Sequence, residues 1–315
     1  MRALQNDAHE RRIAVEDFEH CATVEYEYSG EPLQHANGRV PFNPDGLHAI
    51  EHVRRMRGGA QAQLMKCSDD HYYVVKFMNN LQGAKILFNE LLGARLAACL
   101  GLPVAASEIV YVDQQLINLC PGMIIERSRG TSPCQGGWSF GSRLPVDQRD
   151  GNLFDFLPFY RVKNHRDFLG MLVFDKWTCN TDGRQVVFYR KDTHDLHSAV
   201  MIDQGFCFNA AEWNFPDSPL RGRYSLPEVY DNVTGIDSFE PWLTRLEREI
   251  NSDSLAKAAE GIPQGWHNTC GGAVSKLLNQ LDHRRGRVRE LLWSARKSSD
   301  MFPNWGANKT SAAAG

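Results

Sequence analysis

The chain has eight cysteines but no CxxC pair, and no histidine stands at zinc-ligand spacing from them. That excludes the common structural zinc sites and the thioredoxin-type redox motif. No GxxxxGK[ST] run occurs, which excludes a P-loop nucleotide site. No apolar run approaches the length needed to cross a bilayer. The first dozen residues are polar and carry Asp7, Glu10, Arg11 and Arg12, so they do not read as a secretory leader. Excess charge of one sign is also missing. With 35 basic and 38 acidic residues the formal net charge is −3, which supplies no electrostatic reason to expect nucleic acid or an anionic membrane as partner. Internal repeats and low-complexity blocks are absent. Several cysteines, such as Cys99 and Cys120, lie in apolar runs and read as small reduced core residues of a cytoplasmic protein.

What is present suits a soluble α+β protein. The 315 residues are 42% hydrophobic and 23% charged, enough for one large domain or two lobes with real cores. Residues 1–45 read as an N-terminal extension without an assignable job, with strand-like alternation at 24–28. Residues 62–67 and 71–77 read as two strands around a polar turn, and 81–100 as an amphipathic helix stopped by Gly101 and Pro103. Short β-rich runs follow at 108–112, 116–119 and 123–126. This order describes a small lobe over 46–127, an antiparallel sheet with one helix packed on it. Residues 128–142 hold glycines and serines but few aliphatics, and read as a linker. The C-terminal lobe, 128–305, is mostly helical, with helices at 167–178, 241–251 and 272–294 and strands at 186–189 and 199–202. Arg284, Arg285, Arg287 and Arg289 fall largely off the apolar stripe of the last helix and read as a solvated face. Trp138, Trp177, Trp213 and Trp266 read as packing residues. Residues 306–315 read as a disordered tail.

The chemistry concentrates in two aspartates. Asn180-Thr181-Asp182-Gly183-Arg184-Gln185 closes an apolar helix on a polar turn, and Met201-Ile202-Asp203-Gln204-Gly205 closes an apolar strand. An Asp after a buried strand is costly unless a cation or hydrogen-bond donors meet it, and Mg²⁺ takes such carboxylates together with phosphate oxygens. Upstream, Lys76 breaks a strand of aromatic and β-branched residues, and Glu90 lies on the following helix where it can orient that lysine. Gly58-Gly59 precedes these strands, and glycines let backbone N–H groups approach phosphate. One carboxylate to orient a nucleophile, one to hold metal, and a lysine held by an acid form the working set of an ATP-dependent kinase. Arg184 either neutralises phosphate charge or holds the loop through a carboxylate pair.

On these motifs the chain resembles the HipA-like kinases and, more distantly, the phosphoinositide kinases. The resemblance runs over about residues 48–305 and includes Leu100-Gly101-Leu102-Pro103-Val104, Phe140-Gly141-Ser142 and Phe302-Pro303-Asn304-Trp305. It implies a two-lobed protein-kinase-like fold using ATP and Mg²⁺ to phosphorylate a hydroxyl, protein serine or threonine among the candidates, with a protein partner left open. Lys76 would contact the phosphates and Glu90 would pair with it, while Met123, Ile124, Ile125 and Glu126 would border the adenine. Asp182 would be the catalytic Asp and Asp203 the metal-binding Asp. Such kinases place an Asn about five positions after the catalytic Asp as a metal ligand. Here Val187 stands there, and Gln185 or Asn180 is the nearest amide that could replace it. The departure keeps two rival readings open, a pseudokinase that only binds nucleotide or a partner, and a transferase that moves AMP.

Overall fold

A computed structural model of the chain describes residues 11–12, 46–146, 152–192, 194–267, 272–298 and 300–306. The expected strand at 24–28, nearly all of the extension 1–45, Cys21, Cys270 and the tail beyond 306 lie outside the described residues. After the two-residue strand β1 (Arg11–Arg12), the chain forms β2 (Leu47–Arg55), β3 (Gln63–Cys67), β4 (Tyr72–Lys76), α1 (Lys85–Cys99), β5 (Ser107–Val112), α2 (Gln114–Leu119), β6 (Ile124–Arg127), β7 (Gly130–Pro133) and β8 (Gly137–Arg143). Then come β9 (Leu153–Phe156), α3 (Asp167–Thr178), β10 (Gln185–Tyr189), β11 (Ser198–Ile202) and helices α4 (Trp242–Arg248), α5 (Ser252–Ala259), α6 (Ala273–Arg285) and α7 (Val288–Ser298).

The two-lobed α+β organisation is present. The small lobe is a barrel in the order β2-β3-β4-β8-β5, antiparallel except where β2 closes on β5 in parallel. Its interior follows the strand alternation: Met65, Tyr73, Val75 and Val110 point inward and form a compact core with Met123 and Ile125. The helical lobe is built on α3, which is buried almost all round, with the β10–β11 hairpin carrying the ends of the polar motifs. The lobes are stitched where the chain leaves α1. Met201 N–H donates to the Pro103 carbonyl (2.7 Å), and Ala105 N–H donates to the Met201 carbonyl (3.1 Å).

Five sequence expectations change. Residues 116–119 belong to helix α2, because Asp113 caps it by accepting the Gln115 N–H at 2.7 Å. The expected linker 128–142 holds β7 and β8, and β8 sits inside the barrel between β4 and β5. Its small residues hid it. A Cβ on Gly141 would lie 2.5 Å from Val110, so this strand packs only without a side chain there. The long C-terminal helix breaks at Gly286 into α6 and α7, and the 81–100 helix begins only at Lys85. Cys99 is exposed rather than a core residue, while Cys67, Cys120, Cys134, Cys179 and Cys207 are buried free thiols.

Candidate active site

Lys76 ends β4, where its register partner is Phe140 of β8, and its side chain is buried. Its Nζ donates to Glu90 Oε1 of α1 (2.5 Å) and to Asp203 Oδ1 (3.0 Å), which follows β11. Glu90 is fully buried and uses its other oxygen, Oε2, to accept the Gln204 N–H at 2.7 Å. Burial alone would lower the Lys76 amine, but the charges of Glu90 and Asp203 outweigh it and raise its pKa, so it remains an ammonium. Burial pushes the Glu90 carboxyl up to about 7, with Lys76 pulling the other way. Burial also works against ionised Asp203, yet Lys76 prevails and lowers its pKa. One ammonium therefore serves two carboxylates, and the more open of them, Asp203, is the one kept charged.

The segment after Asp203 lies on α1 through Asn89, a residue whose role no local pattern announced. Its Nδ2 donates to the carbonyls of Gly205, Cys207 and Ala210 at 2.8, 3.1 and 2.8 Å, and its Oδ1 accepts from Trp213 Nε1 at 2.9 Å. Asp203 itself has a left-handed backbone, φ +57°, which turns the chain out of the strand.

Asp182 is exposed on the turn between α3 and β10. Its Oδ1 accepts the Gly183 N–H (2.8 Å) and its Oδ2 accepts Gln185 Nε2 (3.1 Å). Gln185 opens β10 opposite Ile202, beside the Asp203 turn, but its amide hydrogen is given to Asp182. Asn180 is buried with both ends in use: Nδ2 donates to Asp175 Oδ1 (3.0 Å), and Oδ1 accepts the Asp182 N–H (3.2 Å). Its side-chain oxygen, the atom a metal would need, is engaged by the Asp182 N–H. Arg184 is buried as well. Its Nε and Nη2 bind the Asp175 carboxylate, and its Nη1 donates to the Ile202 carbonyl (3.1 Å) and Gln204 Oε1 (2.7 Å). Of its two expected roles, the geometry gives the carboxylate pair: four of its five N–H groups are bonded within the protein. Val187, at the departure from the family pattern, is buried opposite Val200.

Gly58 and Gly59 occupy the loop between β2 and β3. Gly58 has φ +121°, and the space beside it is open. Met123, Ile124, Ile125 and Glu126, expected to border the adenine, lead into and along β6, which pairs with β7. Met123 and Ile125 fill the barrel core, and Glu126 has its backbone N–H and carbonyl bonded to Gln61 Oε1 (2.7 Å) and Nε2 (2.8 Å). Its carboxylate pairs with Arg55 at 2.8 Å. The strand that leads from the barrel toward the helical lobe is β8. The residues after it, Leu144 and Val146, pack with Ala105, Val187, Val200 and Ile202 in an apolar patch between the lobes. Sequence reasoning missed this segment because β8 did not read as a strand.

Among the described residues, no three His, Cys, Asp or Glu side chains are grouped to hold a metal by themselves. Mg²⁺ does not need such a cage, since it binds through one or two carboxylates with phosphates and water. Asp203, partly exposed beside Lys76, fits that mode.

A family model described as HipA-like kinase matches residues 49–294. No curated protein sequence matches the chain. Among solved structures, a proinflammatory kinase of Helicobacter pylori, CtkA, is 14% identical, with 82% of this chain and 96% of that one covered and a TM-score of 0.48. The Golgi casein kinase with Mn/ADP bound is 11% identical, covering 80% of this chain and 73% of that one, TM-score 0.44. HipA of Shewanella oneidensis MR-1, in complex with HipB and operator DNA, is 13% identical, covering 94% and 75%, TM-score 0.39. Likenesses at this level say nothing about an acceptor.

Proposed function

The chain belongs to the HipA-like kinase family, and on that premise we propose that it moves the γ-phosphoryl group of ATP to a hydroxyl acceptor. The observation that carries this reading is the buried Lys76–Glu90 pair, closed by Asp203 from the other lobe. The small lobe then runs through Arg143 rather than ending at 127, and the nucleotide lies between it and the helical lobe. The Gly58-Gly59 loop covers the phosphates, and the apolar patch of Leu144, Val146 and Ile202 faces the base. Lys76 holds the phosphate oxygens as a fixed ammonium, and Glu90 keeps it aimed. Asp182 accepts the proton of the acceptor hydroxyl. A bond forms between the acceptor oxygen and the γ-phosphorus, the bond from that phosphorus to the β–γ bridging oxygen breaks, and ADP leaves. Mg²⁺ bound at Asp203 would supply charge neutralisation on the phosphates. Gln185 orients the Asp182 carboxylate through its Nε2.

One observation favours a second reading. With Val187 where such kinases place Asn, that metal ligand is lost, and its replacement falls to the amide oxygen of Gln185 or of Asn180, which is held within the turn. A protein that binds ATP without transferring phosphate would tolerate that loss. ATP labelled separately at the α and γ positions decides between them, with candidate acceptor proteins and small hydroxyl compounds supplied. Label from the γ position on a product, lost in Asp182→Asn, supports the kinase. Label from the α position supports nucleotidyl transfer. ATP-dependent thermal stabilisation without either label supports the pseudokinase.

A further inference from the structure

We infer that Gln204 is a positioning residue that couples the small-lobe lysine to the catalytic turn, an inference that rests on the kinase reading above. The residue after Asp203 is at the junction of two networks. Its backbone N–H donates to Glu90 Oε2 (2.7 Å), and its side-chain Oε1 accepts from Arg184 Nη1 (2.7 Å). From Glu90 the first network reaches Lys76. From Arg184 the second reaches Asp175, then Asn180, and ends on the Asp182 N–H. A path of hydrogen bonds, passing through the Gln204 residue itself, thus runs from the ammonium that would meet the phosphates to the backbone of the residue whose carboxylate would meet the acceptor. Gln204 is the step at which it passes from α1 to the turn beyond α3.

The fold makes room for this step. Gln204 is 2% exposed, and α1 carries Gly93 beside it, where an added Cβ would lie 2.7 Å from Gln204 Cβ. A glycine inside a helix is less favourable than alanine, and here it lets the glutamine reach Arg184. The guanidinium is buried and cannot turn to water, so an apolar residue at 204 would leave Nη1 with only the Ile202 carbonyl. Displacing α1 then displaces the polypeptide around residue 204, Arg184 and the turn that carries Asp182. Lys76 and Asp182 come into place together or not at all.

The test uses Gln204→Met, which keeps length and volume but removes the acceptor, and Gln204→Glu, which keeps an oxygen for Arg184 in either protonation state. Initial rates of γ-phosphoryl transfer are measured over a range of ATP concentrations, and backbone amide exchange at residues 180–185 is measured with and without Mg²⁺ and a non-hydrolysable ATP analogue. Gln204→Met is expected to lower kcat about tenfold or more while KM for ATP stays within about threefold. Gln204→Glu is expected to recover most of the loss. The analogue should slow exchange at 180–185 in the wild type and in Gln204→Glu, but in Gln204→Met it should slow exchange only around Lys76. If Gln204→Met does not fold, Gln204→Leu is measured in its place. An unchanged kcat, or protection at 180–185 that persists in Gln204→Met, overturns the coupling. Equal loss in Gln204→Glu and Gln204→Met reduces Gln204 to a packing residue and also overturns it. If the wild type transfers no phosphate but the exchange pattern is as expected, the coupling stands and the kinase reading fails.

Discussion

The barrel and the helical lobe bury their side chains in different company, and helix α1 shows the consequence. The barrel closes over its own small cluster, built from Met65, Tyr73, Val75, Val110 and their neighbours. Helix α1 follows β4 in sequence, yet Leu87, Phe88, Leu91, Leu92 and Leu96 join the cluster of the helical lobe, with Trp177, Phe208 and Trp266. The lysine of the site therefore stands on one core, while the glutamate that holds it stands on the other. The Lys76–Glu90 pair is a joint between two packing units, and Asp203 locks that joint from the far side. The helix expected as amphipathic is buried over most of its length, from Ile86 to Ala94, between barrel and helices.

Removing the centre of the larger core should have the largest effect. Trp177 is fully buried, and its Nε1 donates to the Leu281 carbonyl at 2.9 Å. Trp177→Ala should cost about 3–5 kcal/mol in urea unfolding. Because α1 belongs to that core, the barrel should melt in the same transition; a separate barrel transition would mean that the two units are less joined than their packing indicates.

Arg284 and Arg285 are neighbours on α6 with opposite surroundings. Arg284 is buried, donating to the carbonyls of Lys176 (3.0 Å) and Phe215 (3.1 Å) and to Asp217 (2.8 Å). It therefore departs from the solvated helix face expected of this run. Arg284→Ala should destabilise by about 2 kcal/mol, since it leaves buried acceptors unmet. Arg285 makes a partly exposed pair with Asp282 and donates to the Glu247 carbonyl at 2.7 Å, so Arg285→Ala should cost about 1 kcal/mol. Equal effects in chemical denaturation would show that the loop at 215–217 is not held from α6.

The joint between the cores should respond to pH. Glu90 is raised from 4.5 to about 7 in the fold. The folded state thus holds a proton that the unfolded state has released, and the contribution is complete below the unfolded value and lost as pH rises through about 7. Nucleotide-free protein should therefore lose stability as pH rises from about 4.5 toward about 7 and level off above it, by on the order of 3 kcal/mol at most, and Glu90→Gln should flatten that slope. The readout is melting temperature against pH for both proteins. Asp203, with a lowered pKa, contributes in the opposite sense, above the unfolded value and lost toward acid. An unchanged slope in Glu90→Gln would assign the neutral-pH loss to another group.

The smallest expected effect on folding belongs to the barrel loop. An added Cβ on Gly59 meets only Gln82 Nε2 at 3.3 Å. Gly59→Ala should leave unfolding within about 0.5 kcal/mol of wild type, yet reduce the melting shift that ATP and Mg²⁺ produce. A full shift would remove the loop from the nucleotide site.

The parts legible in the sequence were those written locally. Tyr72–Lys76 alternates toward a core and ends on a charge, the apolar run Asp167–Thr178 stops at a polar turn, and Ser198–Ile202 ends on an aspartate. Each announced its element and its candidate residue. The segment after β8 was not legible, because Gly137–Arg143 replaces aliphatics with glycine, serine and aromatics that make sense only against Val110 and Tyr73. Asn180, Gln185 and Arg184 could be placed on one turn from sequence, but which of them faces a metal, a carboxylate or the core could not. Hydrogen-bond partners decide that, and Asp175 and Gln204 carry no local mark of being those partners.

By itself the sequence determined which residues are candidates for chemistry, the order Gly-Gly, Lys76, Glu90, Asp182, Asp203, and the two-lobed α+β plan, because periodicity and turn chemistry act over a few residues. Only the tertiary structure decided how they meet. Lys76 and Asp203 are separated by 127 positions and lie 3.0 Å apart, and Gln204 reaches Glu90 across 114. A buried charge or amide must find its partner wherever the folded chain brings one within hydrogen-bond distance. The identity of that partner is a property of packing between the two cores, which no local stretch of the chain contains.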